Sequence, residues 1–308
     1  MSVVIVIACP GQGSQTPGFL DAWLEAPGSR AFLEEASERS GVDLIRHGTV
    51  SDADTIRDTA IAQPLIVAAS LLAWRELAAR ADLTGVGVAG HSVGEFAAAT
   101  AARILHEGDA LGLVGARGRA MAEAASQADT GMSAVVGGSE SEVLAKIEEH
   151  GLTPANRNGG GQIVAAGPIT ALRALAEDAP RGARVIALQV AGAFHTGYMA
   201  SAIPALEQAA AGIEIADPMR RIWTNADGSA ITDGAKYVEL LVSQVASPVR
   251  WDACMAGFQE SGISGLIELS PAGALTGIAR RALKGVPAVA IKSPEDLDSA
   301  VAMIAESD

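Results

Sequence analysis

Val86-Gly87-Val88-Ala89-Gly90-His91-Ser92-Val93-Gly94-Glu95-Phe96-Ala97-Ala98-Ala99 is the stretch on which the reading of the fold turns. Val86 to Ala89 is a short apolar run that predicts a buried strand, and Gly94 to Ala102 is a run of small residues that predicts a helix directly after it. Between them Gly90-His91-Ser92-Val93-Gly94 has the form G-x-S-x-G. A serine at so sharp a strand-to-helix turn sits in a strained backbone conformation that bulky neighbours would obstruct, and its Oγ stands exposed above the sheet. The start of the helix supplies unpaired N–H groups and the positive end of its dipole, so the N–H of Val93 is placed to bond a developing oxyanion. Gly85, Gly87 and Gly90 also fit G-x-G-x-x-G. A dinucleotide fingerprint follows its strand and opens a helix, whereas these glycines fall within the strand itself.

Outward from this turn, strand and helix alternate. Val3 to Ala8 predicts a buried strand closed by Pro10-Gly11-Gln12-Gly13, and Ala31 to Ser40, Ile61 to Arg80 and Asp109 to Ala125 predict helices. That alternation argues for an α/β core with a parallel sheet. From Gly131 the pattern shortens: strands are expected at Met132–Val136, Ile163–Ala166 and Val185–Val190, with helices at Glu140–Glu149 and Ile169–Glu177 between them. This reads as a small subdomain of residues 128–191 inserted into a large domain of residues 1–127 and 192–308. The second half of the large domain would hold strands at Ile222–Asn225 and Gly265–Leu269 and helices at Val238–Val245 and Trp251–Ser261.

The 308 residues are 49% hydrophobic and 19% charged, enough to bury a large core, and the formal net charge is −14. So acidic a chain repels nucleic acid and anionic membranes unless positive charge is concentrated locally. Its basic residues are scattered, with short clusters at Arg220-Arg221 and Arg280-Arg281-Lys284, so neither a nucleic-acid nor a membrane partner is expected. Cys9 and Cys254 have no metal-ligand spacing, and neither metal nor cofactor is implied. Met1-Ser2-Val3-Val4-Ile5 has no basic leader, and no apolar run is read as reaching the roughly 20 residues of a membrane span. A cytoplasmic setting is expected.

A nucleophilic serine needs a base. His91 adjoins Ser92, so its side chain should point elsewhere, and His47, His106 and His150 lie in polar or helix-end surroundings that suggest solvation. His195, in Gly192-Ala193-Phe194-His195-Thr196, follows the run Val185–Val190 and would sit at a strand end, where α/β sheets put functional groups. An α/β hydrolase would place an acid between serine and histidine in the chain and its histidine near the C-terminus. More than 100 residues follow His195, and the acids after Ser92, such as Asp129 and Asp178, fall on expected helix surfaces and loops. A Ser-His dyad oriented by something other than a carboxylate is therefore open. So are a serine hydrolase or thioesterase and a non-catalytic scaffold.

With Gly11-Gln12-Gly13-Ser14-Gln15, Gly90–Glu95 and Gly192–Thr196 in order, the sequence resembles the malonyl-CoA:acyl carrier protein transacylases, most nearly those of actinobacteria. The resemblance extends through Pro154–Asn158, Pro248-Val249-Arg250-Trp251 and Pro271–Gly277. It implies an α/β-hydrolase-like large domain, a small ferredoxin-like α+β subdomain, a monomer, and no cofactor. It implies that Ser92 attacks the malonyl thioester and His195 takes its proton, that the N–H groups of Gln12 and Val93 form the oxyanion hole, and that a main-chain carbonyl near Gln244 orients His195. Arg117 would bind the malonyl carboxylate, although alone it reads as an ordinary surface arginine. Gln63, Asn156 and Asn158 would line the same cleft. In related polyketide acyltransferases a phenylalanine before the histidine accompanies malonyl selection, which puts Phe194 against an α-methyl group. The partners implied are malonyl-CoA and the phosphopantetheine arm of an acyl carrier protein, of fatty acid or polyketide synthesis. Arg280, Arg281 and Lys284 would help to dock that protein.

Overall fold

The computed structural model describes residues 4–306. Met1–Val3, on which the reading of an absent leader and the first residue of the first strand rested, lie outside the described residues. β1 (Val4–Cys9) is buried along its whole length, as expected of a central strand with both faces covered. It is followed by α1 (Ser29–Ser40), α2 (Leu44–Thr49) and α3 (Thr59–Ala78). Then come β2 (Gly87–Gly90), α4 (Gly94–Ala101) and α5 (Glu107–Ala125). The middle of the chain gives β3 (Thr130–Gly137), α6 (Glu140–Glu149), β4 (Thr153–Gly159), β5 (Gln162–Pro168), α7 (Ile169–Glu177) and β6 (Ala183–Ala187). The remainder supplies α8 (Ile203–Ala210), β7 (Ile222–Trp223), β8 (Ala230–Ile231), α9 (Gly234–Ser243), β9 (Val249–Arg250) and α10 (Trp251–Glu260). β10 (Ile263–Glu268), α11 (Ala274–Ala282), β11 (Ala288–Ala290) and α12 (Leu297–Ala305) close it.

Two sheets result. The larger has the order β11-β10-β1-β2-β7-β8, parallel throughout except for β8, which pairs antiparallel with β7 at the edge. β1 and β2 are parallel neighbours, so the loop after Cys9 and the turn after Gly90 emerge at the same end, tied by His91 N–H donating to Cys9 O at 2.9 Å. The smaller sheet has the order β6-β3-β5-β4-β9. Its first four strands are antiparallel, and β9, from much later in the chain, joins β4 in parallel.

Three expectations need correction. The middle segment runs β-α-β-β-α-β, because Thr153–Gly159 forms β4 where no strand was predicted; its polar residues conceal it. The run Val185–Val190 is strand only to Ala187, at the edge of the small sheet, so His195 stands on a loop well past it and not at a strand end of the main sheet. Finally, α3 has 20 residues with a mean hydropathy of 1.3, long and apolar enough for a membrane span by composition. It is instead a core helix, 72% buried and packed on α4 and α5.

Candidate active site

Ser92 occupies the turn between β2 and α4 with φ 53°, a left-handed conformation that costs a non-glycine residue energy and is held by its surroundings. Those surroundings leave no room for side chains on either flank. A Cβ on Gly90 would lie 2.1 Å from Glu95 N, and one on Gly94 would lie 2.1 Å from Cys9 O. Asn225, just after β7, completes the clamp: its Oδ1 accepts from Ser92 N at 2.7 Å while its Nδ2 donates to Gly90 O at 2.7 Å.

His195 also takes a positive φ, 61°, with its N–H donating to Val245 O at 3.1 Å. Its Nδ1 lies 2.9 Å from the main-chain carbonyl of Gln244 and its Nε2 lies 2.7 Å from Ser92 Oγ. A carbonyl only accepts, so the proton is on Nδ1 and Nε2 presents its lone pair to the serine hydroxyl. Burial, and then the positive charge of Arg117, depress the imidazole from its usual value to about 3, so the ring is neutral and able to take a proton. This is the orientation by carbonyl that the sequence allowed, with no carboxylate on the histidine.

Arg117, read alone as a surface arginine, is in fact 1% exposed on the inner face of α5. Its Nη1 donates to Gln63 Oε1 at 2.6 Å, and its Nη2 donates to Gln244 Oε1 at 2.9 Å and reaches Ser92 Oγ at 3.5 Å. Its Nε has no hydrogen-bond partner. Burial lowers its pKa to about 10, so it remains a cation, held by neutral amides and facing the nucleophile.

Gln12, Gln63, Ser92, Val93, Arg117, Asn156, Asn158, Phe194 and His195 all line one cavity of about 400 Å³ between the two sheets. Gln12 turns its side chain away to donate to Arg57 O, so its loop faces the cavity by its backbone. Asn156 and Asn158 project from β4. Asn156 Oδ1 is buried without a partner, whereas Asn158 Oδ1 accepts from His91 Nε2 at 2.9 Å. His91 thus points away from Ser92, edge-on to Trp251, and burial lowers its pKa. Phe194 packs with Met121, Met132 and Val164 on the cavity wall. Gln244 lies behind Arg117 and His195 and does not line this cavity. The solvated reading holds for His106 alone; His47 and His150 are half-buried, against Ser51 and Asp178.

Sequence reasoning missed two members of the site. Asn225 carries no motif that would single it out. Glu95 was in view, but acids near Ser92 were assigned to helix surfaces. It is 2% exposed in the first turn of α4, accepting from Asn225 N at 2.7 Å and from Gln244 Nε2. The sign that could have found it is an acid alone in a helix of Gly, Phe and Ala, which has no wet face.

Comparison with known proteins places this geometry. A family model of the acyl transferase domain matches residues 6–301. The malonyl CoA-acyl carrier protein transacylase of Mycobacterium tuberculosis is 52% identical over 297 residues, 96% of this chain and 98% of the relative. A crystal structure of MCAT from the same organism superposes with a TM-score of 0.94 at 52% identity, covering 97% of this chain and 99% of that one. A further structure, of a type II PKS acyl-carrier protein in complex with its malonyl-transacylase, matches with a TM-score of 0.91 at 28% identity, over 97% and 99% of the two chains.

Proposed function

The chain belongs to the acyl transferase domain family, and on that premise we propose how its site carries a malonyl group from malonyl-CoA to the phosphopantetheine thiol of an acyl carrier protein. The protein is an acyltransferase of the malonyl-CoA:acyl carrier protein type. The observation that carries the mechanism is the pairing of Ser92 and His195 at 2.7 Å beside a buried guanidinium that, among the described residues, pairs with no carboxylate.

His195 Nε2 takes the Ser92 proton as Oγ attacks the thioester carbonyl. The N–H groups of Val93 and Gln12, which have no acceptor among the described residues, stabilise the oxyanion. The tetrahedral intermediate collapses, His195 protonates the departing sulfur, and CoA leaves with malonyl on Ser92. The carrier thiol then enters, gives its proton to His195 and attacks the ester; His195 returns the proton to Ser92 Oγ as the malonyl thioester departs. Arg117 holds the free carboxylate of malonate throughout by a bidentate pair. Gln63 and Gln244 fix the guanidinium plane; Asn156 and Asn158 line the acyl chamber. Phe194 narrows it against an α-methyl branch. The narrow, largely apolar cavity limits the access of water to the ester.

In the same reading the sheets are the cores of a large hydrolase-like domain, 1–127 and 192–308, and a subdomain, 128–191. The β-α-β-β-α-β order of the latter supports a ferredoxin-like description. Two free buried cysteines agree with a cytoplasmic setting. Exposed Arg280, Arg281 and Lys284 at the end of α11, one turn beyond cavity-lining Ile278, form the docking surface for the acidic carrier protein. Carriers of fatty acid or polyketide synthesis satisfy the same chemistry. The test is to incubate the protein with malonyl-CoA and holo carrier protein and follow both malonyl-carrier and free malonate. Carrier loading well ahead of malonate release is expected; malonate release without loading would make the protein a thioesterase.

A further inference from the structure

Behind the catalytic pair lies a carboxyl group for which the mechanism has no use. Glu95 lines not the substrate cavity but a second one of about 360 Å³ on its far side, with Ser243, Gln244 and Arg250. Its backbone N–H donates to Ser92 O at 3.0 Å, while its carboxyl group accepts hydrogen bonds at both oxygens: Oε1 from Asn225 N at 2.7 Å, and Oε2 from Gln244 Nε2. Gln244 in turn offers its Oε1 to Arg117 Nη2 at 2.9 Å. An amide side chain has one accepting end and one donating end. Between a carboxylate and a guanidinium only one of its two orientations satisfies both neighbours.

We infer that Glu95 is a positioning residue that fixes the orientation of the Gln244 amide, and through it presents Arg117 to the carboxylate of the acyl group. This rests on the malonyl-transfer reading above. Gln244 Nε2 also donates to Asn225 Oδ1 at 3.3 Å and to Ser92 O at 3.4 Å, but both contacts are long, and Glu95 Oε2 is its short acceptor. A donor in place of that acceptor drives the amide to turn, and its NH2 then meets the NH2 groups of Arg117, donor against donor in a buried site. The guanidinium must shift or lose a partner. The main-chain carbonyl of Gln244, which orients His195, is not involved, so the effect falls on the carboxylate clamp and not on the base. Burial raises the Glu95 pKa, and the positive charge of Arg117 works against that rise. The network therefore joins a buried acid to a buried cation through a neutral amide, and keeps the acid of the protein out of the place of the substrate's carboxylate.

Glu95→Gln separates the two arms of this network. The new carbonyl still accepts from Asn225 N, which preserves the clamp on Ser92, while the new NH2 faces Gln244 and forces its amide over. Transfer to holo carrier protein from malonyl-CoA and from acetyl-CoA is then compared. In Glu95→Gln, kcat/KM for malonyl-CoA falls about tenfold to a hundredfold, the range for leaving a buried hydrogen-bonding group unsatisfied, while acetyl transfer stays close to wild type. Glu95→Asp, which keeps an accepting carboxyl on the side of Gln244, retains more malonyl transfer than Glu95→Gln. Where Glu95→Gln fails to fold, the comparison of Glu95→Asp with wild type carries the test, its withdrawn carboxyl giving a smaller loss of the same malonyl-specific kind. An equal fall for malonyl and acetyl, no fall for either, or a loss in Glu95→Asp as deep as in Glu95→Gln would overturn the inference. Absence of malonyl transfer by the wild type would instead remove the functional reading on which it stands.

Discussion

In the proposed reading, Arg117 decides what acyl group the site accepts. Its guanidinium is buried against Gln63, Gln244 and the ring of Phe96, 5.8 Å from its carbon, and reaches Ser92 Oγ at 3.5 Å. Arg117→Ala should lower the rate of Ser92 acylation by malonyl-CoA about a hundredfold, the loss of a charge-assisted bidentate pair, and leave acetyl transfer unimpaired; stopped-flow acylation with both thioesters measures it. His195 makes a prediction about pH. Its folded pKa is depressed to about 3, mainly by burial, so between about pH 6.5 and 3 the unfolded chain binds a proton that the folded one does not. Stability from this residue is present above pH 6.5 and lost as pH falls. Urea unfolding at pH 7 and pH 5 should show His195→Gln gaining up to about 2 kcal/mol on wild type between the two; a constant difference would contradict it. Ser92 and His195 were legible because chemistry demands a nucleophile at an elbow and a base to serve it. Glu95 and Asn225 were not, because they hold other residues in place, and that duty has no sequence pattern of its own.

At the scale of elements, the strand-turn-helix of β2 and α4 is held by close approach. Gly94→Ala would drive a Cβ to 2.1 Å from Cys9 O, so β1 and α4 must separate. A loss of about 2–3 kcal/mol is expected, together with malonyl transfer, as Ser92 leaves its place. Gly277→Ala is the contrast: its Cβ would meet nothing within 4 Å, inside α11. It should stabilise the protein by about 0.5–1 kcal/mol through helix propensity. Thermal unfolding of the two variants gives opposite signs if packing governs both. The buried strands and long helices were readable from apolar runs and helical spacing. β4 was not: Thr153–Gly159 presents Asn156 and Asn158 to the cavity, and a strand that lines a polar site loses the apolar alternation by which strands are recognised.

For the molecule as a whole, a net charge of −14 opposes association with an acidic carrier protein, so docking depends on a local exception. Changing Arg280, Arg281 and Lys284 together to Glu should raise the KM for carrier protein about tenfold, leave the KM for malonyl-CoA unchanged, and flatten the dependence on salt. Equal KM values before and after the change would remove this surface from the account. The α/β class was readable from the alternation of strand and helix, and the change of rhythm near Gly131 falls where the chain enters the smaller sheet. The cavity between the sheets was not, since it is built by pairings between segments far apart in the chain, such as β9 with β4 and Arg281 Nε donating to Gly160 O. The central claim is that the chain carries malonyl on Ser92. Its most direct test is the intact mass of the purified protein after brief exposure to malonyl-CoA, for wild type and Ser92→Ala. One malonyl adduct on wild type, absent from Ser92→Ala and discharged by holo carrier protein, is the result expected; an adduct that persists in Ser92→Ala, or none on wild type while carrier protein is still loaded, would contradict it.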